Sequence, residues 1–414
     1  MESRDFRLWW LALLGMGVSL QMLEVAIGWE VYAQHRSALD LGWIGLAEFV
    51  PLFLLALPAG HLADVVPRRL IFAGSLVLGA AVGVGLALIS GSGDTSVLPY
   101  LALAVVAGMA MALGTPASRA MPPTLVGAEL LQSAMTLRSI ATQSAQVVGP
   151  ALGGLLYGTS PSLVYLLAAG ACAAAFLCAL AIRPARAANV ASDGTREAAS
   201  VESVLEGLKF VGHTQILLGA ILLDLLAVLF GGAVALLPIF ARSILHVGAT
   251  GLGVLRAAPA VGALLGATAI TRRPIGGRAG RLLLNVVLIY GACIVVFGLS
   301  RFYPLSLLAL GVSGFVDLYS MNIRSTTVAL ATPDRLRGRV NAVEMVFISA
   351  SNQLGAFESG LAAFLVGTIP AVVGGGAMTM LIALSWRRFF PALAEVDRLD
   401  SVTPPASPPV EVPA

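Results

Sequence analysis

Apolar runs of about twenty residues recur through this chain from Leu8 to Trp386, each long enough to cross a hydrocarbon core of roughly 30 Å. In hydrocarbon every backbone N–H and C=O must bond within its own structure, so an open chain of such runs can only be a set of helices. The sequence therefore predicts an all-α polytopic membrane protein. Twelve spans are placed at 8–33, 41–61, 70–90, 98–117, 131–156, 163–182, 214–240, 250–271, 282–299, 304–330, 340–365 and 367–386. Only 11% of the residues are charged, less than half of the roughly 25% found in soluble domains. The first run has no small-residue cleavage site and exceeds a signal-peptide core, so it is expected to stay as an anchor.

An even number of spans puts both ends on one side, and arginine placement says which. With a cytoplasmic N-terminus, nineteen of the 25 Lys and Arg residues fall in cytoplasmic segments. Arg36, Arg242 and Arg301 fall outside, and Arg138, Arg256 and Arg324 fall within spans. The positive-inside rule thus predicts cytoplasmic termini. A single lysine, Lys209, and a bias to Arg, Ala, Gly and Val suggest a high-GC bacterial genome, and the expected location of so many spans is then the bacterial inner membrane. No basic patch interleaved with aromatics is present, so nucleic acid is not a predicted partner. Cys172, Cys178 and Cys293 lie in apolar runs without metal-ligand spacing and read as small core residues. No phosphate-binding G-x-x-x-x-G-K-[ST] loop and no catalytic triad spacing occurs, which excludes ATP-driven transport within this chain and argues against an enzyme.

The halves of the chain echo each other. VVGPALGG (147–154) shifted by 206 lands on QLGAFESG (353–360), so Gly149 meets Gly355 and Gly154 meets Gly360. GTSP (158–161) returns as GTIP (367–370), and Gly60 shifts onto Gly266. A duplicated six-span unit is a transporter plan that places the substrate site near mid-membrane between the units. The expected organisation is a six-helix half over 1–183, a cytoplasmic linker over 184–212, a second six-helix half over 213–390 and a disordered proline-rich tail over 391–414. Within the linker, VESVLEGLKFV sets Val201, Val204, Leu205, Leu208 and Val211 on one helical face, as in a short helix lying on the membrane surface.

GHLADVVPRRL (60–70) joins spans two and three, and it resembles the loop signature of the major facilitator superfamily. Gly60, Leu62, Ala63, Asp64, Arg68 and Arg69 match that pattern, while Pro67 stands where the family usually has glycine. GPALGG in span five is similar to part of the signature of the family's proton-coupled exporters. Pro150 removes a backbone donor, and Gly149, Gly153 and Gly154 allow close helix approach. PASRAMPPTLVGAELLQSAMTLRS (116–139) and RSTTVALATPDRLRGRVNAVEMVF (324–347) look like loops of the drug- and siderophore-exporting branch. The resemblance covers roughly residues 8–390. It implies the twelve-helix fold in two pseudo-symmetric halves, and a latch in which Asp64 approaches the start of span eleven, where Arg337 and Arg339 lie.

An ionised side chain at mid-membrane costs at least roughly 2.5–3.5 kcal/mol, so each one calls for a partner, water or a proton. Gln21, Glu24 and Gly28 share one face of span one. Glu24 is the first candidate for proton coupling at the cavity between the halves. Glu30 lies about 240° further round the helix. Beside Trp29, Tyr32 and Gln34 near the outer boundary, it is expected to reach water. Further candidates are Glu48, Asp224, Asp317, Arg324, Arg138 and Glu358. Asp317 and Arg324 share a face with Ser320 between them, and Arg138 is placed to meet Glu24, Glu48 or neither.

These readings together predict a monomeric secondary transporter in the lipid bilayer. It is expected to export a small amphipathic molecule such as a drug, siderophore or secondary metabolite by alternating access and proton antiport, with no cofactor beyond the proton gradient and no metal. A proton-coupled importer and a transport-inactive membrane sensor or accessory protein are the alternatives.

Overall fold

The computed structural model describes residues 4–92, 95–183 and 201–402. The first half contains α1 (Arg4–His35), α2 (Ala38–Val65), α3 (Arg68–Ser92), α4 (Leu98–Ala120), α5 (Leu131–Tyr157) and α6 (Pro161–Ala181). A linker helix, α7 (Val201–His213), precedes α8 (Gln215–Gly231), α9 (Gly248–Arg272), α10 (Ala279–Leu299), α11 (Tyr303–Ala331), α12 (Arg337–Val366) and α13 (Thr368–Phe389). We call the end holding Arg4 and Phe389 proximal, and the end holding the α1–α2 and α12–α13 turns distal.

Among the described residues, ten segments are long and apolar enough to cross a membrane. The two remaining long helices, α5 and α12, have the length at 27 and 30 residues but carry more polar side chains. On α5 the exposed Gln132, Thr136, Ser139 and Gln146 recur at helical spacing, and on α12 Asn341 and Asn352 do the same. Hydrocarbon cannot satisfy such stripes, so they belong to the cleft between the halves rather than to lipid. These two helices are equivalents under the sequence repeat.

Their glycines make the contacts that the repeat implies. Gly149 on α5 lies against Gln21 of α1, and Gly355 on α12 lies against Leu229 of α8. One turn further on, each helix crosses to the other half. A Cβ at Gly154 would stand 2.4 Å from the Ala249 carbonyl and 2.9 Å from Gly253 Cα on α9. One at Gly360 would stand 2.7 Å from Gly42 Cα on α2. Both contacts lie in the distal part of the molecule, and both need bare backbone. They close the distal end.

Three segments depart from the sequence reading. Span seven is not one helix to 240: it ends at Gly231, turns through a 3-10 segment at Ala233–Leu236, and closes with a π-helical turn at Phe240–Ile244. Gly232 leaves the helical region, with ψ 63°, and breaks the ladder there, and Pro238 starts the next short helical turn. The tail is ordered to residue 402 rather than disordered from 391. Leu393 and Val402 are buried, and the carbonyls of Val396 and Asp397 accept from the N–H groups of Gly280 and Ala279, capping α10. Residues 403–414 lie outside the described residues. In the linker, Gly207 and Val211 pack inward while Leu205 and Leu208 stay exposed, so α7 rests on the start of α12. The side chains of Val201 and Val204 lie outside the described residues.

Gly154→Val should insert and fold yet fail to close the distal end. Ala249→Cys, buried in the intact interface, is expected to react with a membrane-impermeant maleimide at least about tenfold faster in that background. Equal labelling rates would show that the glycine contact does not govern closure.

Candidate functional site

Below the closed distal end residues of both halves line a partly open cavity of about 110 Å³. Its polar lining consists of Glu24 from α1, Glu48 from α2, Arg256 from α9 and Gln353 from α12. Gly28 and Gly45 leave room for them. Each half supplies two of the four polar groups.

Arg256 Nη2 pairs with Glu24 Oε2 across the halves. Gln353 Nε2 donates to Glu48 Oε2 at 3.0 Å, also across the halves. The carboxyl of Glu24 keeps 35% of its surface exposed and the guanidinium side chain of Arg256 19%, so the pair is wet on the cavity side. Two carboxyl groups therefore stand beside one guanidinium, which pairs with Glu24, while Glu48 has only the Gln353 amide. This arrangement lacks one positive charge in a low-dielectric site, and a proton or a cationic group can supply it at Glu48.

A second ionic group lies within the C-terminal half. Arg324, on α11, pairs with Asp224 on α8, and its Nε donates to the Ser320 carbonyl at 3.3 Å. Asp317 and Glu344 are acidic neighbours of the same pair. The direct partner of Arg324 is thus Asp224 on another helix, not Asp317 on its own.

The pattern of the transmembrane secretion effector family, a branch of the major facilitator superfamily, matches residues 1–413. This chain belongs to that family. It is a secondary transporter and a multi-pass membrane protein, not an enzyme. Over 395 residues it is 27% identical to the enterobactin exporter EntS of Shigella boydii serotype 18, covering 93% of each chain. The EntS of Escherichia coli O81 is 26% identical over the same coverage. Among solved structures, an inward-facing, occupied bacterial homologue of the human lysosomal transporter Spinster superposes with TM-score 0.72 at 15% identity, covering 98% of this chain and all of that one. A POT family transporter in complex with a thioalcohol-conjugated peptide superposes with TM-score 0.75 at 10% identity, covering 94% and 96%. These likenesses show the fold.

The arginines of the predicted latch have other partners in this state. Arg68 Nη1 donates to the Ala120 carbonyl at 3.0 Å, and Arg69 Nη1 to that of Ile182. Arg337 pairs with Asp334 at 2.7 Å, and Arg339 with Glu206 of the linker helix. Gly60 and Asp64 are in the last turns of α2, but the surroundings of Gly60 and the side chain of Asp64 lie outside the described residues.

Other predicted residues separate from the cavity. Gln21 sits beneath Gly149, and Gly153 lies against the Met22 backbone. Pro150 presents its carbonyl to Gly253. Arg138 meets neither Glu24 nor Glu48, and its charged neighbour is Arg119. Glu358 stands beside Ser359, near the distal end of α12. Glu30 does not reach water: it is 3% exposed and enclosed by tyrosines.

Arg256 and Gln353 were not singled out from the sequence. Arg256 nevertheless occupies the position equivalent to Glu48 within the repeat shift of 206–209, opposite in charge. That inversion was the available signal.

Breaking the pair should cost more than removing it, because either single change strands a charge. Arg256→Gln is expected to destabilise by roughly 1–3 kcal/mol, discounted for the partial exposure, and Glu24→Gln in the same chain to restore much of the loss. Thermal unfolding in detergent of the single and double variants measures this. Additive losses would mean that the two side chains do not act as a pair.

Proposed function

We propose that this transporter exports a small amphipathic molecule from the bacterial cytoplasm across the inner membrane in exchange for protons, as a monomer with cytoplasmic termini. The observation that carries the proposal is the cavity between the halves, where Glu24 holds the single guanidinium of Arg256 and Glu48 beside it is met only by the Gln353 amide. Its remaining walls, including Ile27, Leu41, Ile44 and Pro238, are apolar and suit an amphipathic solute. The outward direction is supported by the exporters among the relatives. The excess of arginine at the proximal end supports the orientation.

In this reading Glu48 carries the exchanged proton and Glu24 is the fixed partner of Arg256. With Glu48 ionised, the cavity attracts the basic or hydrogen-donating part of the solute. With Glu48 protonated, that attraction is lost and the solute leaves. The loop at 60–70 serves as a latch for the opposite state, when the distal end opens and the proximal ends of α2 and α12 approach. Its arginine partners at the start of α12 are then drawn from Asp334 and Glu206.

Inverted membrane vesicles with an acidic lumen test the exchange. A fluorescent amphipathic quaternary ammonium, which protonation in the lumen cannot trap, should accumulate in them, and Glu48→Gln should reduce that gradient-driven accumulation at least about tenfold. Accumulation favoured by the opposite gradient would indicate a symporter. Indifference to gradients of either sign would end the proton-coupled reading.

A further inference from the structure

Glu30 is a buried carboxyl that the cavity does not use. It lies on α1 near the distal end, with 3% of its surface exposed. Tyr165 Oη of α6 donates to one carboxyl oxygen. Tyr100 Oη of α4 donates to the other at 3.0 Å, with Gln34 Nε2 at 3.3 Å from the same oxygen. Gln34 Nε2 also reaches Tyr100 Oη at 3.2 Å. Tyr157, at the end of α5, faces the group as well. Donors converge from every side, the complement that a carboxylate needs when water is excluded. One side chain thus ties together the distal ends of α1, α4, α5 and α6.

The other half meets α1 beside this cage. Arg242, in the π-helical turn after α8, places its guanidinium carbon 5.3 Å from the centre of the Trp29 ring. Tyr32 Oη and Ser243 Oγ lie 2.9 Å apart. Trp29 precedes Glu30 on α1, so the cation of one half is seated beside the cage that holds the anion of the other. Arg242 is also one of only three arginines on the side that the charge distribution keeps poor in them. An irregular turn that re-aims a side chain at a contact is a common use of π-helical geometry.

We infer that Glu30 is a positioning residue for transport: its caged carboxylate holds the distal gate shut by fixing Trp29 and Tyr32 against the Arg242–Ser243 turn. The glycine contacts allow the halves to touch, and this cluster supplies a charge reason for them to stay. When the halves part distally, Arg242 leaves Trp29 while the cage remains within the N-terminal half. The inference does not depend on which solute is carried or on proton exchange.

Electron–electron double resonance between spin labels at Thr159→Cys and Arg301→Cys reads the gate directly. Both positions are exposed distally, one in each half. Cys172, Cys178 and Cys293 are replaced by alanine in this background. No substrate is needed, so failure here leaves the exchange proposal standing. Glu30→Gln keeps the cage's shape and removes its charge. It is expected to raise the distal-open population at least about fivefold. Arg242→Gln should do the same, and the double variant should open the gate no further than either single one. A residue that merely stabilises the half would lower the melting temperature without moving the distance distribution of the folded protein. An unchanged distribution in Glu30→Gln, or independent additive shifts in the two variants, would overturn the inference.

Discussion

A carboxylate from one half and a guanidinium from the other meet inside the membrane, and neither can be left there alone. Placing either charge unpaired in the bilayer interior costs several kcal/mol, so the Glu24–Arg256 pair draws α1 and α9 together wherever both remain ionised. Everything distal to the pair is built to permit that approach. Gly154 against Gly253 and Gly42 against Gly360 bring backbones to distances that no side chain allows. Glu48 and Gln353 span the same gap beside the pair. The closed distal end and the charged cavity are therefore two aspects of one contact between halves.

The duplicated architecture explains why polarity concentrates where it does. Helices α5 and α12 are equivalent, and both cross from one half to the other. Each has one set of small residues distally and a polar stripe proximally. Small residues serve the closed interface, and the stripe leaves polar side chains exposed. These opposing demands leave both helices less apolar than their neighbours, which face lipid on at least one side. Charge breaks the symmetry: Glu48 on α2 has Arg256 as its equivalent on α9, and the inversion lets one half attract the other.

The fold was largely legible from residue pattern. Apolar runs defined the helices, and the recurrence of Gly149 and Gly154 as Gly355 and Gly360 announced the contacts those positions make. Pairing between helices was not legible, because sequence spacing orders residues within a helix and is silent on which helix faces it. Arg256 consequently went unassigned, and Asp224 was named as a candidate without the partner, Arg324, that reaches it. Glu30 misled for a related reason. A helical wheel separates two faces of α1, yet this helix is surrounded by protein, so the second face meets α4 and α6 rather than water. Tyr100, Tyr157 and Tyr165 lie near helix ends, where tyrosine ordinarily marks the membrane interface. The ordered stretch after Phe390 was masked by the prolines beyond it, although Leu393, Leu399 and Val402 supply apolar contacts before them.

The central claim is that the charges at the cavity control whether the halves stay joined. Exchanging the pair tests it most directly: Glu24→Arg and Arg256→Glu, singly and together, with the distal distance between Thr159→Cys and Arg301→Cys measured for each. The account predicts that either single reversal opens the distal end and that the double reversal returns the wild-type closed distance. A distal end that stays closed in both single reversals would contradict it.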